Sequence, residues 1–139
     1  MAQTVAEVMT RQPATVGRDD TVAKAAQLMR EYGTGDVLVV DGGSLVGIVT
    51  DRDIVTRVVA ENGGSSEPVS KACSSAGIAS IGSTADVEQA VALMRDKAVR
   101  RLPVVDNGKP VGVVSLGDLA IERDPRSGLA DISSAPPNS

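Results

Sequence analysis

The sequence predicts a mixed α/β (α+β) chain of two pseudo-symmetric β-α-β-β-α repeats packed sheet to sheet. Three observations carry that expectation. The first is an internal repeat: Thr15–Val55 aligns without gaps onto Ser80–Ala120, an offset of 65 residues. Gly17 falls on Gly82, Val22 on Val87, Leu28-Met29-Arg30 on Leu93-Met94-Arg95, Val39-Val40-Asp41 on Val104-Val105-Asp106, and Asp53 on Asp118. About a third of the aligned positions are identical. Two copies, each mixing helix and strand, argue against a solenoid, which stacks three or more units. The second observation is helical spacing, with Val22, Ala25, Ala26 and Met29 at i, i+3, i+4 and i+7. The third is the Asp41-Gly42-Gly43 turn between two apolar runs, matched by Asn107-Gly108, which is the signal of a tight hairpin.

In order along the first repeat, Ala14-Thr15-Val16 is a short strand ended by Gly17. Thr21 is a good N-cap type for the helix that follows, and Asp86 holds the matching position. Gly33 and Gly35 end that helix. Val37–Val40 is a buried strand and Leu45–Val49 the next one. A second helix starts near Asp51 and is expected to carry Ile54, Val55, Val58 and Val59 inward. Asn62–Pro68, rich in Gly and Ser, reads as a linker. The second repeat follows the same plan from Ser80-Ile81, with a short last helix, because Pro125 disfavours helix at Asp124. The expected domains are therefore 5–61 and 69–124, joined by linker 62–68 and followed by a disordered tail, 125–139. A repeat this small, with no aromatic filler, is marginal on buried area alone, so the two copies are expected to share a core.

Composition removes several classes of function. The chain of 139 residues has no Phe, no Trp, one tyrosine and no histidine. Single-stranded nucleic acid needs exposed stacking rings, which are missing. Without histidine there is no His base, no His-containing triad and no ordinary zinc site. One cysteine, Cys73, excludes an intrachain disulfide. The net charge of −4 gives no basic footprint for DNA or RNA. No apolar run approaches the roughly 20 residues that span a bilayer. Met1-Ala2-Gln3-Thr4 lacks the charged-then-apolar plan of a signal peptide, so a cytoplasmic protein without membrane or nucleic-acid partners is expected. No nucleophile, base and orienter can be assembled, which argues against an enzyme.

Two local features carry candidate chemistry. Gly47-Ile48-Val49-Thr50-Asp51-Arg52-Asp53 is matched by Gly112-Val113-Val114-Ser115-Leu116-Gly117-Asp118. Each has a hydroxyl residue and, three positions on, an aspartate where a strand turns into a helix. One reading is a capping box, in which hydroxyl and acid satisfy each other's backbone N–H groups. The other is a ligand loop, with a helix N-terminus facing an anion and the carboxylate accepting from ribose hydroxyls. Spacing alone does not choose between them. The second feature is Arg100-Arg101-Leu102-Pro103, where paired arginines entering a strand can fork onto phosphate or stand as solvated edge charges. The first repeat has Gly35-Asp36 there, and an aspartate repels phosphate. The neighbouring Arg52, with Gly117 opposite it in the alignment, is a cation that would offset that repulsion.

These motifs together resemble a tandem pair of CBS domains, the Bateman module. The marks are Thr21–Met29, Arg101-Leu102-Pro103-Val104-Val105-Asp106 and the two Gly-x-x-Thr/Ser-x-x-Asp segments, over about Val5 to Arg123. The chain is similar to stand-alone actinobacterial CBS proteins, including the hypoxic-response type. The resemblance implies a non-catalytic regulatory or signalling module that binds AMP, ADP, ATP or S-adenosylmethionine in clefts between the copies. It implies ribose on Asp53 with Thr50 and on Asp118 with Ser115, adenine against Thr15-Val16 or Ser80-Ile81, and phosphate near Arg101, just before Leu102-Pro103. It further implies a homodimer and an unidentified regulated partner protein. The alternative is a ligand-free structural or stress-response protein acting by self-association or partner binding.

Overall fold

The computed structural model describes residues 3–74 and 78–123. In chain order its elements are α1 (Val5–Val8), β1 (Thr10–Arg11), β2 (Thr15–Gly17), α2 (Val22–Tyr32), β3 (Asp36–Asp41), β4 (Ser44–Thr50) and α3 (Asp51–Ile54), which continues as a π-helical turn (Val55–Val59). A 3₁₀ turn (Val69–Lys71) follows, then α4 (Val87–Lys97), β5 (Arg101–Asp106), β6 (Lys109–Ser115) and α5 (Leu116–Arg123). The tail expected at 125–139 lies outside the described residues.

The hairpin turns form as the sequence predicts. Gly42 and Gly43 take φ of 60° and 85°, and Asn107 and Gly108 take 54° and 81°. Both central residues are left-handed, which is what a two-residue turn matching strand twist requires. The hairpins then share one register. Asp36 lies opposite Thr50 and Arg101 opposite Ser115, and each ladder slips by one residue at the same place, after Val39 and after Val104.

One compact unit is Pro13–Ile78. Its sheet runs β2-β3-β4, with β2 parallel and β4 antiparallel to β3. Val16, Val37, Val39 and Val49 from the sheet meet Val22, Ala25 and Met29 from α2, together with Val58, Val69 and Ala72. Thr21 caps α2 by accepting from the Lys24 N–H at 3.1 Å, and Gly33 ends it at φ 63°. The inward face after Asp51 is narrower than predicted. Val58 is buried and Ile54 half-buried, but Val55 and Val59 are 57% and 60% exposed. Ile54 and Val58 are one helical turn apart and share a face, while Val55 and Val59 stand on the next strip round.

The other unit joins residues up to Gln12 with those from Ala79 onward. Its sheet is β1-β6-β5, and its core is Val5, Val87, Ala90, Met94, Leu102, Val104, Val114 and Leu119. The predicted first strand of this repeat is a correction: Ser80-Ile81 contributes one parallel bridge, Ile81 to Val104. The cause is Pro103. In the first repeat the Leu38 N–H donates to Ala14 O at 2.9 Å. Pro103 holds the equivalent position and has no N–H, so that rung cannot form.

The compact units differ from segments 5–61 and 69–124 at their N-terminal edges, because each repeat's leading arm belongs to the other unit. Val5 is fully buried in the second repeat's core, its N–H donating to Ala85 O, while the Val87 N–H donates to Gln3 O. Val69 is fully buried in the first repeat's core, its N–H donating to Asp20 O, while the Val22 N–H donates to Glu67 O. The stretch 62–68 read as a linker is thus bonded to the start of α2, through Ser65 O as well as Glu67 O. Thr10 then pairs with Val113 on β6, and Ser74 with Ile48 on β4.

Gly47 and Gly112 make room for these arms. A Cβ on Gly47 would lie 3.0 Å from Ser74 O, and one on Gly112 2.6 Å from Met9 Sδ and 2.7 Å from Thr10 O. No helix among the described residues is long and apolar enough to cross a membrane.

Candidate functional site

Both Thr/Ser-x-x-Asp loops close as capping boxes. In the first repeat Thr50 Oγ1 accepts from the Asp53 N–H at 3.0 Å, and Asp53 Oδ2 accepts from the Thr50 N–H at 3.0 Å. In the second, Ser115 Oγ accepts from the Asp118 N–H at 3.1 Å, and Asp118 Oδ2 accepts from the Ser115 N–H at 3.0 Å. The capping reading of the motif therefore holds in both repeats. Each box commits one carboxylate oxygen, Oδ2, and fixes the acid beside the end of its strand.

The surroundings of the two boxes differ. In the second repeat, Arg101 is the direct cross-strand neighbour of Ser115 and is exposed. In the first, Asp36 is the neighbour of Thr50 and is 7% exposed, with Asp36 Oδ1 accepting from the Thr34 hydroxyl at 2.7 Å. The register thus brings Arg101, Ser115 and Asp118 together in one repeat, and Asp36, Thr50 and Asp53 in the other. Arg52 is exposed, and its N–H donates to Asp51 Oδ1 at 2.8 Å.

Of the residues expected to meet adenine, Thr15 and Ser80 are exposed and Ile81 is half-buried. Val16 is 2% exposed, so its side chain belongs to the core and only its backbone can face a ligand. The Pro103 side chain is likewise buried.

Sequence reasoning missed Arg57. Its guanidinium donates to Ala72 O at 3.1 Å and Ser74 Oγ at 3.3 Å, and its Nε lies 3.9 Å from Asp53 Oδ1. The i,i+4 spacing of Asp53 and Arg57 was the available signal. The aligned residue of the second repeat is Glu122.

The turn between the first strand and the first helix of each repeat is closed by an acid. Asp20 Oδ2 accepts from the Gly17 N–H at 2.7 Å and from Lys24 Nζ at 3.3 Å. The Gly17 bond foremost, then Lys24, holds this carboxyl below the usual range. Asp106 accepts from the Ser83 hydroxyl at 2.5 Å and the Ser83 N–H at 3.0 Å, and that hydroxyl, then that N–H, lowers it in the same way.

The comparisons with known proteins agree with this architecture. The CBS domain family model matches residues 5–60 and 69–123. The CBS domain-containing protein YhcV of Bacillus subtilis is 40% identical over 119 residues, covering 86% of this chain and 84% of its own. Hypoxic response protein 1 of Mycobacterium tuberculosis is 30% identical over 118 residues, 84% of this chain and 82% of its own. Among solved structures, a protein with CBS domains from Burkholderia ambifaria is 33% identical with a TM-score of 0.78, covering 90% of this chain and 96% of that one. The CBS domain pair of protein MJ0100, solved in complex with 5′-methylthioadenosine and S-adenosyl-L-methionine, shares the fold at 21% identity and a TM-score of 0.80, covering 91% of this chain and 100% of that one. Two matched segments, two homologous repeats and relatives aligned over most of their own length identify the chain as a tandem pair in the CBS-domain family.

Proposed function

We propose that this CBS pair is a non-catalytic, cytoplasmic regulatory module that senses an adenosine-containing ligand, AMP, ADP, ATP or S-adenosylmethionine, and passes its state to a partner protein. The observation that carries the reading is the juxtaposition in the second repeat. The carboxylate of Asp118, suited to a ribose diol, is fixed on the Ser115 N–H, and the cross-strand neighbour of Ser115 is the exposed residue Arg101, whose guanidinium suits phosphate or carboxylate. The MJ0100 pair lends support at the level of fold, since it is solved with two adenosine compounds. A ligand that binds one arrangement of the protein more tightly shifts its population by that difference in affinity, and the partner reads the shift.

Calorimetric titration of the wild type and of Asp118→Ala with AMP, ATP and S-adenosylmethionine tests this. Each hydrogen bond to the charged acceptor is worth about 1.5–3 kcal/mol, whereas losing the cap costs about 1 kcal/mol of stability. The expected variant binds far more weakly yet melts only slightly earlier. A variant that melts earlier with unchanged affinity per folded molecule reduces Asp118 to a cap.

A second reading, action through self-association, is favoured by exposed Val55 and Val59, which place two bare isopropyl groups on one strip after α3. The expected species is a homodimer. Light scattering that gives the 14.2 kDa of one chain at micromolar concentration overturns it.

A further inference from the structure

The described residues contain two Asn-Gly pairs, Asn62-Gly63 and Asn107-Gly108. Both asparagines are exposed, and both are left-handed, with φ of 62° and 54°. Their following glycines differ. The Gly63 N–H donates to Val58 O at 2.7 Å, and a Cβ there would meet Val58 Cγ1 and Val58 O at 3.0 Å, so this amide is bonded and enclosed. Gly108 is exposed at the tip of the β5–β6 hairpin, where its N–H has no partner among the described residues.

We propose that Asn107 is a site of spontaneous deamidation and that Asn62, with the same dipeptide, is protected by the fold. The Gly108 nitrogen loses its proton to solvent and attacks Asn107 Cγ. A new N–Cγ bond forms, the Cγ–Nδ2 bond breaks, and ammonia leaves with a proton from water. Water then opens the succinimide at either carbonyl, leaving aspartate or isoaspartate at position 107. The attack needs a nitrogen free to lose its proton and a following residue without a side chain. Gly108 meets both needs, while Gly63 must first give up a hydrogen bond. The product adds a negative charge beside Asp106, and the isoaspartyl form lengthens the backbone inside a turn that must keep Asp106 opposite Lys109. Copy one is immune at this position, because it carries Gly42 there.

The full chain is incubated at 37 °C in mildly alkaline buffer, digested with trypsin and followed by mass spectrometry. The peptides 102–123 and 58–71 each contain a single Asn and no Gln, so an amide-to-acid mass gain reports one site in each. The 102–123 peptide is expected to convert about tenfold faster, the factor set by breaking one extra hydrogen bond. In denaturing urea the two rates should converge, and an isoaspartate-specific methyltransferase should label 102–123. Equal native rates, faster conversion of 58–71, or no conversion at 107 each overturn the proposal.

Discussion

The two repeats reach one scaffold with different charges. Around Thr50 and Asp53, the first repeat sets a buried Asp36 on the neighbouring strand and Arg52 and Arg57 on the helix side. Around Ser115 and Asp118, the second repeat sets Arg101 on the strand, with Gly117 where the first repeat has Arg52. At the aligned pairs 52/117 and 36/101 the positive charge moves from helix to strand. Arg101 is set by its pairing with Ser115 in the β5–β6 ladder, whereas Arg52 lies beyond the end of β4. Arg57 is already engaged with Asp53, Ala72 and Ser74. The same backbone box therefore serves as an internally tied cap in one repeat and as one with a strand-borne cation beside it in the other.

The largest effect should come from closing the space through which the arms run. Gly112→Ala drives a Cβ into Met9 Sδ and the Thr10 carbonyl, and backbone cannot yield as a side-chain tip does. It should cost about 3 kcal/mol, and Gly47→Ala, meeting Ser74 O at 3.0 Å and Cys73 Sγ at 3.3 Å, about 1 kcal/mol. Urea unfolding of both variants checks the ranking. Equal costs would mean that β1 is displaced as easily as the Cys73–Ser74 segment.

These arms also mark the limit of what the sequence makes legible. The gapless alignment holds at an offset of 65, but Val5 and Val69, or Thr10 and Ser74, are related by 64. One residue of slip hides the arms' equivalence, and nothing local says that an arm pairs with the other repeat's last strand. The hairpins and the cap at Thr21 were legible because each is encoded within a few residues, whereas the two Thr/Ser-x-x-Asp segments were legible in place but not in role, since a cap and a ligand loop share that spacing. The loss of strand at Ser80-Ile81 was readable in principle from Pro103. The outward turn of Val55 and Val59 was not, because a helix of one or two turns has too few positions to define its face.

The next effect is on binding. Arg101→Ala should lower AMP affinity roughly thirtyfold relative to adenosine, the loss of one charge-assisted contact of about 2 kcal/mol. Arg52→Ala should change that ratio by less than about threefold, a fraction of one such contact. Titration of both variants with AMP and adenosine separates the strand cation from the helix cation. The reverse ranking moves the phosphate site to the first repeat.

A smaller effect distinguishes the ends of the first helices. Gly33 and Ala98 occupy the same left-handed position, at φ 63° and 54°. Alanine there carries about 1 kcal/mol of steric cost that glycine avoids. Gly33→Ala should destabilise by about 1 kcal/mol, and Ala98→Gly should stabilise by a fraction of that, since glycine also loosens the unfolded chain. Thermal melts of the pair give opposite signs if the two caps are equivalent.

The smallest effect concerns the acids that close the strand-to-helix turns. The first repeat uses Asp20, bonded to Gly17 N and Lys24. The second has Ala85 at the aligned position and recruits Asp106 from the end of β5 to hold Ser83. Asp41, the counterpart of Asp106, instead lies 3.6 Å from Arg18. Both Asp20 and Asp106 have lowered folded values. Their contribution is fully present above the unfolded carboxyl value of about 3.9 and is lost as pH falls through the lower folded value. Asp20→Asn and Asp106→Asn should each flatten the stability profile below about pH 4 and leave its slope near neutrality unchanged. Salt separates the two. Asp20 leans partly on the Lys24 charge, so added salt should shrink its share, while Asp106 leans on an uncharged hydroxyl and amide and should be nearly indifferent. Urea midpoints at several pH values, in low and high salt, measure both. A salt-sensitive Asp106 share would show that a charge, and not Ser83, holds that carboxylate.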